Sequence, residues 1–331
     1  MEQLQSNSYF TNFGAVGLYN GVLTFCNINY QMIMQLGNFN YVGTLGQVNG
    51  ILCTINNVYT SVQVPENNSG FYVGVLISIV QSENWSVSNI TINNSYVYSK
   101  LMTGLTIAYI NAGSFYSISI YSSIAQSIGS NYWALSGGLY GDSVVLHLQN
   151  TAQTTIINQC YFVNSSIFTN NSVIQASSGG LIGDSHENQI EIYNVYLKSI
   201  DLLSCGTAQL AQSSGLIAFL YDSIVHINNV QMSNIKLSSQ NTNTAYVSGF
   251  IAQQTNMNPI LNNQVYIFNS KVQAIQMYIP EGSPVYYGII ISKQPPVFNV
   301  NQLSSDGANT INGATIRNCG NIQNFNTQYG C

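Results

Sequence analysis

The sequence Gly-Gly-Leu-Ile-Gly at 179–183 is followed by Ile-Tyr-Asn at 192–194, twelve residues after the second glycine (180 to 192). Both pieces recur along the chain. Copies of the glycine piece are anchored at Gly14, Gly43, Gly70, Gly104, Gly138, Gly180, Gly215, Gly249 and Gly288. Consecutive anchors lie between 27 residues (43 to 70) and 42 residues (138 to 180) apart. This spacing indicates about nine copies of one unit with a loop of variable length.

The triplet Ile-x-Asn runs in phase with the glycine piece. It occurs at 55–57, 92–94, 156–158, 192–194, 227–229, 267–269 and 316–318. Around it apolar and polar residues mostly alternate, as they do over Glu191–Leu197. Alternation is typical of a strand with one buried face. Asn, Ser and Gly separate these pieces at strand-like intervals, so each unit is predicted to contain short β-strands.

A unit of about 34 residues with three short strands cannot bury its apolar face alone, whereas stacked units bury a continuous core. We predict an all-β chain folded as one β-solenoid, similar to a parallel β-helix, over residues 1–331. About nine irregular rungs, about 4.8 Å apart, are expected between residues 13 and 318. Residues 1–12 and the segment after Asn301 are expected to form irregular caps that cover the open strand edges.

The low charge fits such a repeat. Charged residues make up 5% of the 331 residues, against about 25% in a typical soluble protein, while 46% are hydrophobic. A disordered chain has the opposite bias. Two like charges on adjacent rungs, about 5 Å apart, repel by about 3 kcal/mol at an effective dielectric constant of about 20. Asn, Ser, Thr and Tyr stack without that cost, and one Asn can hydrogen-bond the next.

Several classes of partner are disfavoured by composition. The six basic residues are scattered singly at Lys100, Lys198, Lys236, Lys271, Lys293 and Arg317. No patch can therefore neutralise a run of phosphates, and nucleic-acid binding is not predicted. No stretch approaches the roughly 18 apolar residues of a membrane span. The opening MEQLQSNSYF has neither a basic end nor an apolar stretch, so no secretory signal is predicted there.

The cysteines leave the redox compartment open. They lie at Cys26, Cys53, Cys160, Cys205, Cys319 and Cys331. Without a C-x-x-C pair, a structural zinc site is not predicted. The even number permits disulfides, and buried free thiols are the simpler expectation.

The pieces at Gly137–Gly141 and Gly179–Gly183, followed by Ile-x-Asn, resemble the GLUG motif of repetitive surface and adhesin-like proteins. The resemblance in spacing covers roughly Gly14 to Asn318. It implies a β-helix-like and usually extracellular architecture, and it brings no catalytic residues.

Three Asp-Ser pairs carry the strongest candidate chemistry: Asp142-Ser143, Asp184-Ser185 and Asp222-Ser223. Asp142 and Asp184 each lie four residues after their glycine (138 to 142, 180 to 184), which predicts one column on adjacent rungs. Asp222 lies seven residues after Gly215 and joins the column only if that turn is longer. His186 and Glu187 directly follow the pair Asp184-Ser185.

These five residues are the candidate ligand or metal-binding residues, with two interpretations. Adjacent carboxylates can share a proton, bind Ca²⁺ through oxygen, or act on a glycosidic bond as paired acids. Alternatively, Asp-Ser simply opens a turn, with the side chain accepting backbone N–H bonds. The turn is the simpler interpretation, so no catalytic residue, resident metal or cofactor is predicted. His147 and His226 lie in apolar strands and are expected to be wall residues.

Surface features complete the pattern. N-x-[ST] sequons, possible glycosylation sites in a secreted protein, occur at Asn67, Asn84, Asn89, Asn93, Asn164 and Asn170. Aromatic residues that can line an outer face are Tyr116, Tyr121, Tyr132, Trp133, Tyr193 and Tyr196. Exposed tyrosines beside Asn and Ser suit sugar or protein recognition.

The function predicted from these features is non-enzymatic. We predict a repetitive surface, adhesion or scaffold protein that presents a polar and aromatic solenoid face to proteins or glycans outside the cell or at its surface. The alternative is a carbohydrate-active β-helix enzyme, a polysaccharide lyase or glycoside hydrolase, that uses Asp142, Asp184 and their neighbours. Convergence of these aspartates with His186 in a concave groove would favour the enzyme.

Overall fold

A computed structural model of the chain describes nineteen segments. They are 12–13, 15–19, 22–33, 41–48, 52–64, 71–81, 84–129, 133–143, 154–171, 173–186, 189–207, 209–241, 243–255, 263–279, 285–288, 290–292, 297–306, 309–312 and 314–315. In these segments the secondary structure consists of β-strands and turns, without a helix.

The strands are short, with a few longer ones that continue around a corner. In chain order they are β1 (Asn12–Phe13), β2 (Val16–Tyr19), β3 (Val22–Ile33), β4 (Tyr41–Val42), β5 (Leu45–Val48), β6 (Leu52–Gln63), β7 (Tyr72–Gly74), β8 (Ile77–Val80), β9 (Asn84–Asn93), β10 (Tyr96–Ser99), β11 (Met102–Gly104), β12 (Ile107–Ile110), β13 (Ser114–Tyr121), β14 (Ile124–Gly129), β15 (Trp133–Gly137), β16 (Tyr140–Ser143), β17 (Thr154–Asn158), β18 (Tyr161–Asn171), β19 (Gln175–Gly179), β20 (Ile182–His186), β21 (Gln189–Gly206), β22 (Leu210–Ser214), β23 (Ile217–Tyr221), β24 (Ile224–Asn241), β25 (Thr244–Ser248), β26 (Ile251–Thr255), β27 (Gln264–Phe268), β28 (Lys271–Tyr278), β29 (Val285–Gly288), β30 (Val297–Asn301), β31 (Ser304–Asp306), β32 (Thr310–Ile311) and β33 (Ala314–Thr315).

These strands form three sheets. Sheet 1 has nine strands in the order β1-β4-β7-β11-β15-β19-β22-β25-β29, and sheet 2 has eight in the order β2-β5-β8-β12-β16-β20-β23-β26. The remaining sixteen strands form sheet 3. Neighbours in each sheet come from successive sequence repeats and pair in parallel, as β21 does with β24. The described chain is therefore all-β and built from parallel strands, as predicted, and it is consistent with a β-helix-like fold.

The pairing aligns the repeats residue by residue. β21 and β24 pair from Gln189 opposite Ile224 onward, so equivalent residues lie 35 positions apart (189 to 224). One column points into the core and reads Ile55, Val87, Phe115, Ile157, Ile192, Ile227, Ile267 and Val300. Each of these side chains is buried. Burial of a side chain of this size stabilises the fold by about 1.5–3 kcal/mol. Because these buried residues lie in one column, they form a continuous hydrophobic core along the stacked strands.

In four of the Ile-x-Asn triplets, at 55–57, 192–194, 227–229 and 267–269, the Asn lies at the same corner of the rung. Asn94 instead lies at the next corner of its rung, Asn158 comes one residue before this corner, and Asn318 lies outside the described residues. A column of nine residues in sheet 3 has positive φ values, and it reads Asn27, Asn57, Asn89, Ser117, Gln159, Asn194, Asn229, Asn269 and Gln302. Asn tolerates this left-handed conformation better than most residues because its short polar side chain bonds locally. The recurring asparagine therefore reflects a backbone requirement that is repeated in every rung.

Side chains of this column also bond from rung to rung. Asn57 Nδ2 donates to Asn27 Oδ1 at 3.0 Å, and Asn229 Nδ2 donates to Asn194 Oδ1 at 2.8 Å. Asn194 donates to the residue before the neighbouring corner, Asn158, at 2.9 Å. The expected Asn-to-Asn bonding is thus present, and we call this column the asparagine ladder.

The glycine piece lies where sheet 1 turns into sheet 2. A Cβ atom at Gly180 would overlap the carbonyl oxygen of Gly215 on the next rung. The same overlap would arise between Gly138 and Gly180, so the second glycine permits close approach of successive turns. In the third copy the register pairs Gly104 with Gly74, which corrects the anchor inferred at position 70. Gly70 itself lies outside the described residues.

The C-terminal end departs from the regular pattern. The rung continues past Asn301 into β31, which pairs in parallel with β28. β32 and β33 then form an antiparallel pair, the one such pair among the described strands. The irregular cap expected after Asn301 therefore begins later, at the β32–β33 hairpin, while residues 1–11 lie outside the described residues.

The asparagine ladder gives a direct test of why the chain avoids charge. Asn194→Asp and Asn229→Asp together place like charges on adjacent rungs, while each Asp keeps the left-handed corner. We expect the double variant to be destabilised beyond the sum of the single variants by roughly 1–3 kcal/mol at neutral pH. The excess should shrink in high salt, because exposed charges are screened. Urea unfolding followed by circular dichroism measures it.

The control combines Asn57→Asp with Asn229→Asp, which lie several rungs apart and should act additively. An additive result for the adjacent pair at low salt would contradict the explanation by charge stacking.

Candidate functional site

Two facing columns of side chains meet on the outside of the core, where sheets 1 and 2 approach each other. The sheet 1 column reads Tyr41, Tyr72, Met102, Leu135, Ser177, Gln212 and Tyr246. The sheet 2 column reads Gln47, Ile79, Tyr109, Asp142, Asp184, Phe219 and Gln253. Contacts join Tyr72 to Tyr109 and Gln212 to Gln253. We call this region the sheet 1–2 angle.

Asp142 and Asp184 occupy adjacent positions in the sheet 2 column. Tyr140 pairs with Ile182, which places the two aspartates opposite each other two residues later (140 to 142, 182 to 184). Their exposed fractions are 4% and 3%. The structure therefore brings together the two aspartates whose distances from Gly138 and Gly180 predict a shared column.

His186 completes the cluster. Its Nε2 lies 3.3 Å from Asp184 Oδ2 and 4.0 Å from Asp142 Oδ1. The His186 ring stacks on Tyr221 of the next rung, with centroids 4.3 Å apart and planes 17° apart. Phe219 in turn packs edge-on against Tyr221. These aromatic contacts fix the direction in which the imidazole faces the carboxylates.

A chain of buried polar side chains connects the cluster to sheet 1. Gln175 Nε2 donates to Asp184 Oδ2 at 3.3 Å and to Ser177 Oγ at 2.8 Å. Ser177 donates to Gln212 Oε1 at 2.7 Å, and Gln212 Nε2 donates to Gln253 Oε1 at 2.6 Å. Hydrogen bonding makes these polar groups tolerable in a buried place and ties the cluster rigidly to both sheets.

Burial dominates the electrostatics of the pair. Burial and, as a smaller cause, the neighbouring Asp184 carboxylate together raise the pKa of the Asp142 carboxyl to about 8. His186 and a backbone hydrogen bond from Ser143 oppose this rise. Two carboxylates so close cannot both ionise freely, so Asp142 holds a proton near neutral pH when nothing else neutralises the pair.

The other candidates from the sequence do not join the cluster. Phe219, not Asp222, follows Asp184 in the column, and Asp222 sits at the next corner with a φ of 39°. Its position corresponds to the turn predicted for an Asp-Ser pair. His226 stacks on Tyr266 with centroids 4.7 Å apart, as expected for a wall residue. Glu187 and His147 lie outside the described residues.

Tyrosines of the sheet 1–2 angle were missed by the sequence reasoning. Tyr41 and Tyr72 stack with centroids 5.5 Å apart, and Tyr72 meets Tyr109 at 6.1 Å. All three are half-buried. Tyr41 and Tyr72 lie on adjacent strands of sheet 1, and Tyr109 lies on the sheet 2 strand of the following rung, so only the rung register reveals that they meet. A sequence signal would have been the correct third anchor, Gly74, two residues after Tyr72.

The sequons differ in their surroundings. Asn164 is exposed at a corner with a φ of 52°, and Asn89 is exposed but donates to Asn56 at 2.9 Å. Asn93 and Asn170 are half-buried. Asn67 lies outside the described residues, as does the side chain of Asn84.

Among the described cysteines, Cys26, Cys160 and Cys205 are free thiols. Cys160 is buried, which raises the pKa of its thiol, so it fits the expected role of a small apolar residue.

Comparison with known protein families, with curated proteins and with solved structures finds no match to this chain. The resemblance to GLUG-motif proteins therefore stays a prediction. No described helix is long and apolar enough to cross a membrane.

The raised pKa of Asp142 predicts how stability depends on pH in the presence of EDTA. An unfolded Asp ionises near pH 4, whereas folded Asp142 keeps its proton up to about pH 8. The free energy of unfolding should therefore fall as pH rises through this window. The Asp142→Asn variant has no carboxyl group at this position, so the contribution of Asp142 to the decrease in unfolding free energy should disappear. The free energy of unfolding of Asp142→Asn should equal that of the wild type near pH 4 and exceed it at pH 8 by a few kcal/mol, since one pKa unit corresponds to about 1.4 kcal/mol.

Chemical unfolding at several pH values measures this difference. Asp201→Asn makes the same substitution on an exposed side chain of sheet 3 and reports the effect of removing one surface charge. A constant difference between wild type and Asp142→Asn from pH 4 to pH 8 contradicts the assignment.

Proposed function

We propose that the chain is a β-solenoid of about nine rungs that acts as a non-enzymatic, GLUG-like surface or adhesion protein, and that the sheet 1–2 angle binds glycans. The observation that carries this proposal is the half-buried tyrosine group Tyr41, Tyr72 and Tyr109, whose rings contact one another across neighbouring rungs. Aromatic rings cover the apolar faces of sugars, and a few fixed polar groups orient the ligand.

The shape of the fold supports an extended ligand. The facing columns repeat at strand spacing, so the side chains of successive rungs lie along one line that an extended ligand can follow. Near Tyr72 the angle is apolar, because Met102, Leu135 and Ala108 form a small separate cluster there. Toward Gln212 it is polar. Because Ser177 and Gln212 are fully buried, a ligand would contact the tyrosine end of the angle, while the buried amides tie the two sheets together.

Extracellular or cell-surface placement belongs to the same proposal. It is supported by the GLUG-like repeat in the sequence and by the exposed corner position of the Asn164 sequon. Analysis of the native protein by mass spectrometry before and after treatment with a glycosidase that removes N-glycans tests it. An unmodified Asn164 in protein recovered from the cytoplasm contradicts this placement.

A labelled chain applied to a glycan array tests the binding function. We expect Tyr72→Ala to weaken binding of a positive glycan by about 2- to 10-fold, the range for loss of one aromatic contact. Tyr72→Phe should bind like wild type if the ring face makes the contact. Isothermal titration with the same glycan gives the dissociation constants.

The matched control is Tyr121→Ala, which removes a tyrosine that is 39% exposed on sheet 3. No binding to any glycan, or equal binding by wild type and Tyr72→Ala, overturns the proposal. Binding of a protein that Tyr72→Ala weakens would place a protein ligand in the angle instead.

A carbohydrate-active enzyme remains the second candidate, because Asp142, Asp184 and His186 converge. Burial of both carboxylates opposes it, since a sugar ring cannot reach oxygen atoms that are covered by protein. Release of reducing ends from polysaccharides by the wild type, and its loss in Asp184→Asn, would establish the enzyme. Equal background from both proteins would exclude it for the polysaccharides used.

A further inference from the structure

The cluster of Asp142, Asp184 and His186 has the composition and spacing of a metal site. Each residue offers one ligand atom, and these atoms all lie within 4.8 Å of one another. Two atoms bound to one ion at about 2.0–2.2 Å are separated by about 3.0–4.4 Å. The distances of 3.3 and 4.0 Å from His186 Nε2 to the two carboxylates fall in that range. A single ion can therefore contact all three residues after small shifts.

Unpaired buried oxygen atoms provide a second, independent observation. Asp142 Oδ1 and Asp184 Oδ1 are covered by protein and have no hydrogen-bond partner. Leaving a buried carboxylate oxygen without a donor or cation costs free energy, so such atoms call for an explanation. No lysine or arginine among the described residues pairs with either aspartate, and His186 is their one ion-pair partner there.

We propose that Asp142, Asp184 and His186 bind one divalent transition-metal ion, such as Zn²⁺ or Mn²⁺, between adjacent rungs of sheet 2. The ion neutralises the two stacked carboxylates and supplies the missing partner of Asp142 Oδ1, the oxygen without a hydrogen bond that faces His186. This site does not depend on the glycan-binding function, because it uses different residues of the angle.

The donor set selects the kind of ion. Imidazole nitrogen suits Zn²⁺ and other first-row transition metals, whereas Ca²⁺ takes six to eight oxygen ligands. A cluster with two carboxylates and one histidine, buried on most sides, cannot supply that many oxygens. We therefore expect Zn²⁺ and Mn²⁺ to bind more tightly than Ca²⁺.

The surroundings hold the three ligands in place. Gln175 donates to Asp184 Oδ2, and Tyr221 stacks on the His186 ring. Asp142 and Asp184 both lie on strands whose register is fixed by backbone pairing. Partners of this kind orient metal ligands, and a site on paired strands needs little rearrangement on binding.

Isothermal titration of the EDTA-stripped chain with ZnCl₂, MnCl₂ and CaCl₂ tests the proposal, with metal content measured after dialysis. We expect one Zn²⁺ per chain. Binding should weaken by about 10-fold or more in Asp184→Asn and in His186→Gln. Zn²⁺ should also raise the melting temperature of the wild type and leave that of both variants almost unchanged.

Asp201→Asn and His226→Gln are matched controls outside the cluster, and both should bind Zn²⁺ like the wild type. His186 is partly exposed, so its variant is expected to fold, which circular dichroism verifies. Absence of Zn²⁺ and Mn²⁺ binding by the wild type overturns the proposal. So does equal binding by wild type, Asp184→Asn and His186→Gln, because the ion would then lie elsewhere.

Discussion

Parallel pairing of equivalent strands makes each residue a close neighbour of its own counterpart on the next rung, and the rest of the structure depends on this constraint. A side chain must be compatible with a copy of itself about 4.8 Å away. Isoleucine meets this condition in the core, where Ile192, Ile227 and Ile267 stack in one buried column. Asparagine meets it at the surface, where Asn229 bonds to Asn194. Charged residues fail it, which is consistent with their share of only 5%.

The same constraint applies to the backbone. If one rung turns at a left-handed residue, the next rung must turn at the same place for its strands to stay in register. Nine successive corners in sheet 3 accordingly have positive φ, with Asn at six of them and Ser or Gln at the others. Since an ordinary L-residue pays about 1–2 kcal/mol for this conformation, the recurrence of Asn has a conformational origin as well as a bonding one.

Much of the fold follows from the sequence, because equivalent residues of stacked repeats pair with each other and their spacing in the sequence therefore predicts the strand register. The alternation around Ile192, the corner at Asn194 and the shared column of Asp142 and Asp184 all follow from counting residues from a glycine. Counting failed where a loop changes length: the third anchor is Gly74, and Phe219 takes the place that a longer turn would have given Asp222.

The site was less accessible to sequence reasoning than the fold. Contacts across the sheet 1–2 angle, such as Tyr72 with Tyr109 or Gln175 with Asp184, join different strands of one rung or of neighbouring rungs. Their existence depends on how sharply the chain bends between the sheets, and no periodicity encodes that angle. The stacking of His186 on Tyr221 likewise needs the register of β20 and β23 together with the rotamers of both rings.

Asp142 and Asp184 depart from the general avoidance of like charges on adjacent rungs. Elsewhere the described pairings place no two like charges on adjacent rungs, and Asp201 faces Lys236 of opposite sign. Here two acidic side chains lie on adjacent rungs and are buried as well. Burial and proximity both disfavour the doubly ionised state, so the pair is stable only with a retained proton or with a bound positive charge. A departure from local rules without an evident structural gain is typical of functional positions, and this one has a histidine aimed at it. The physical cost of the pair is thus the strongest argument that it does more than shape a turn.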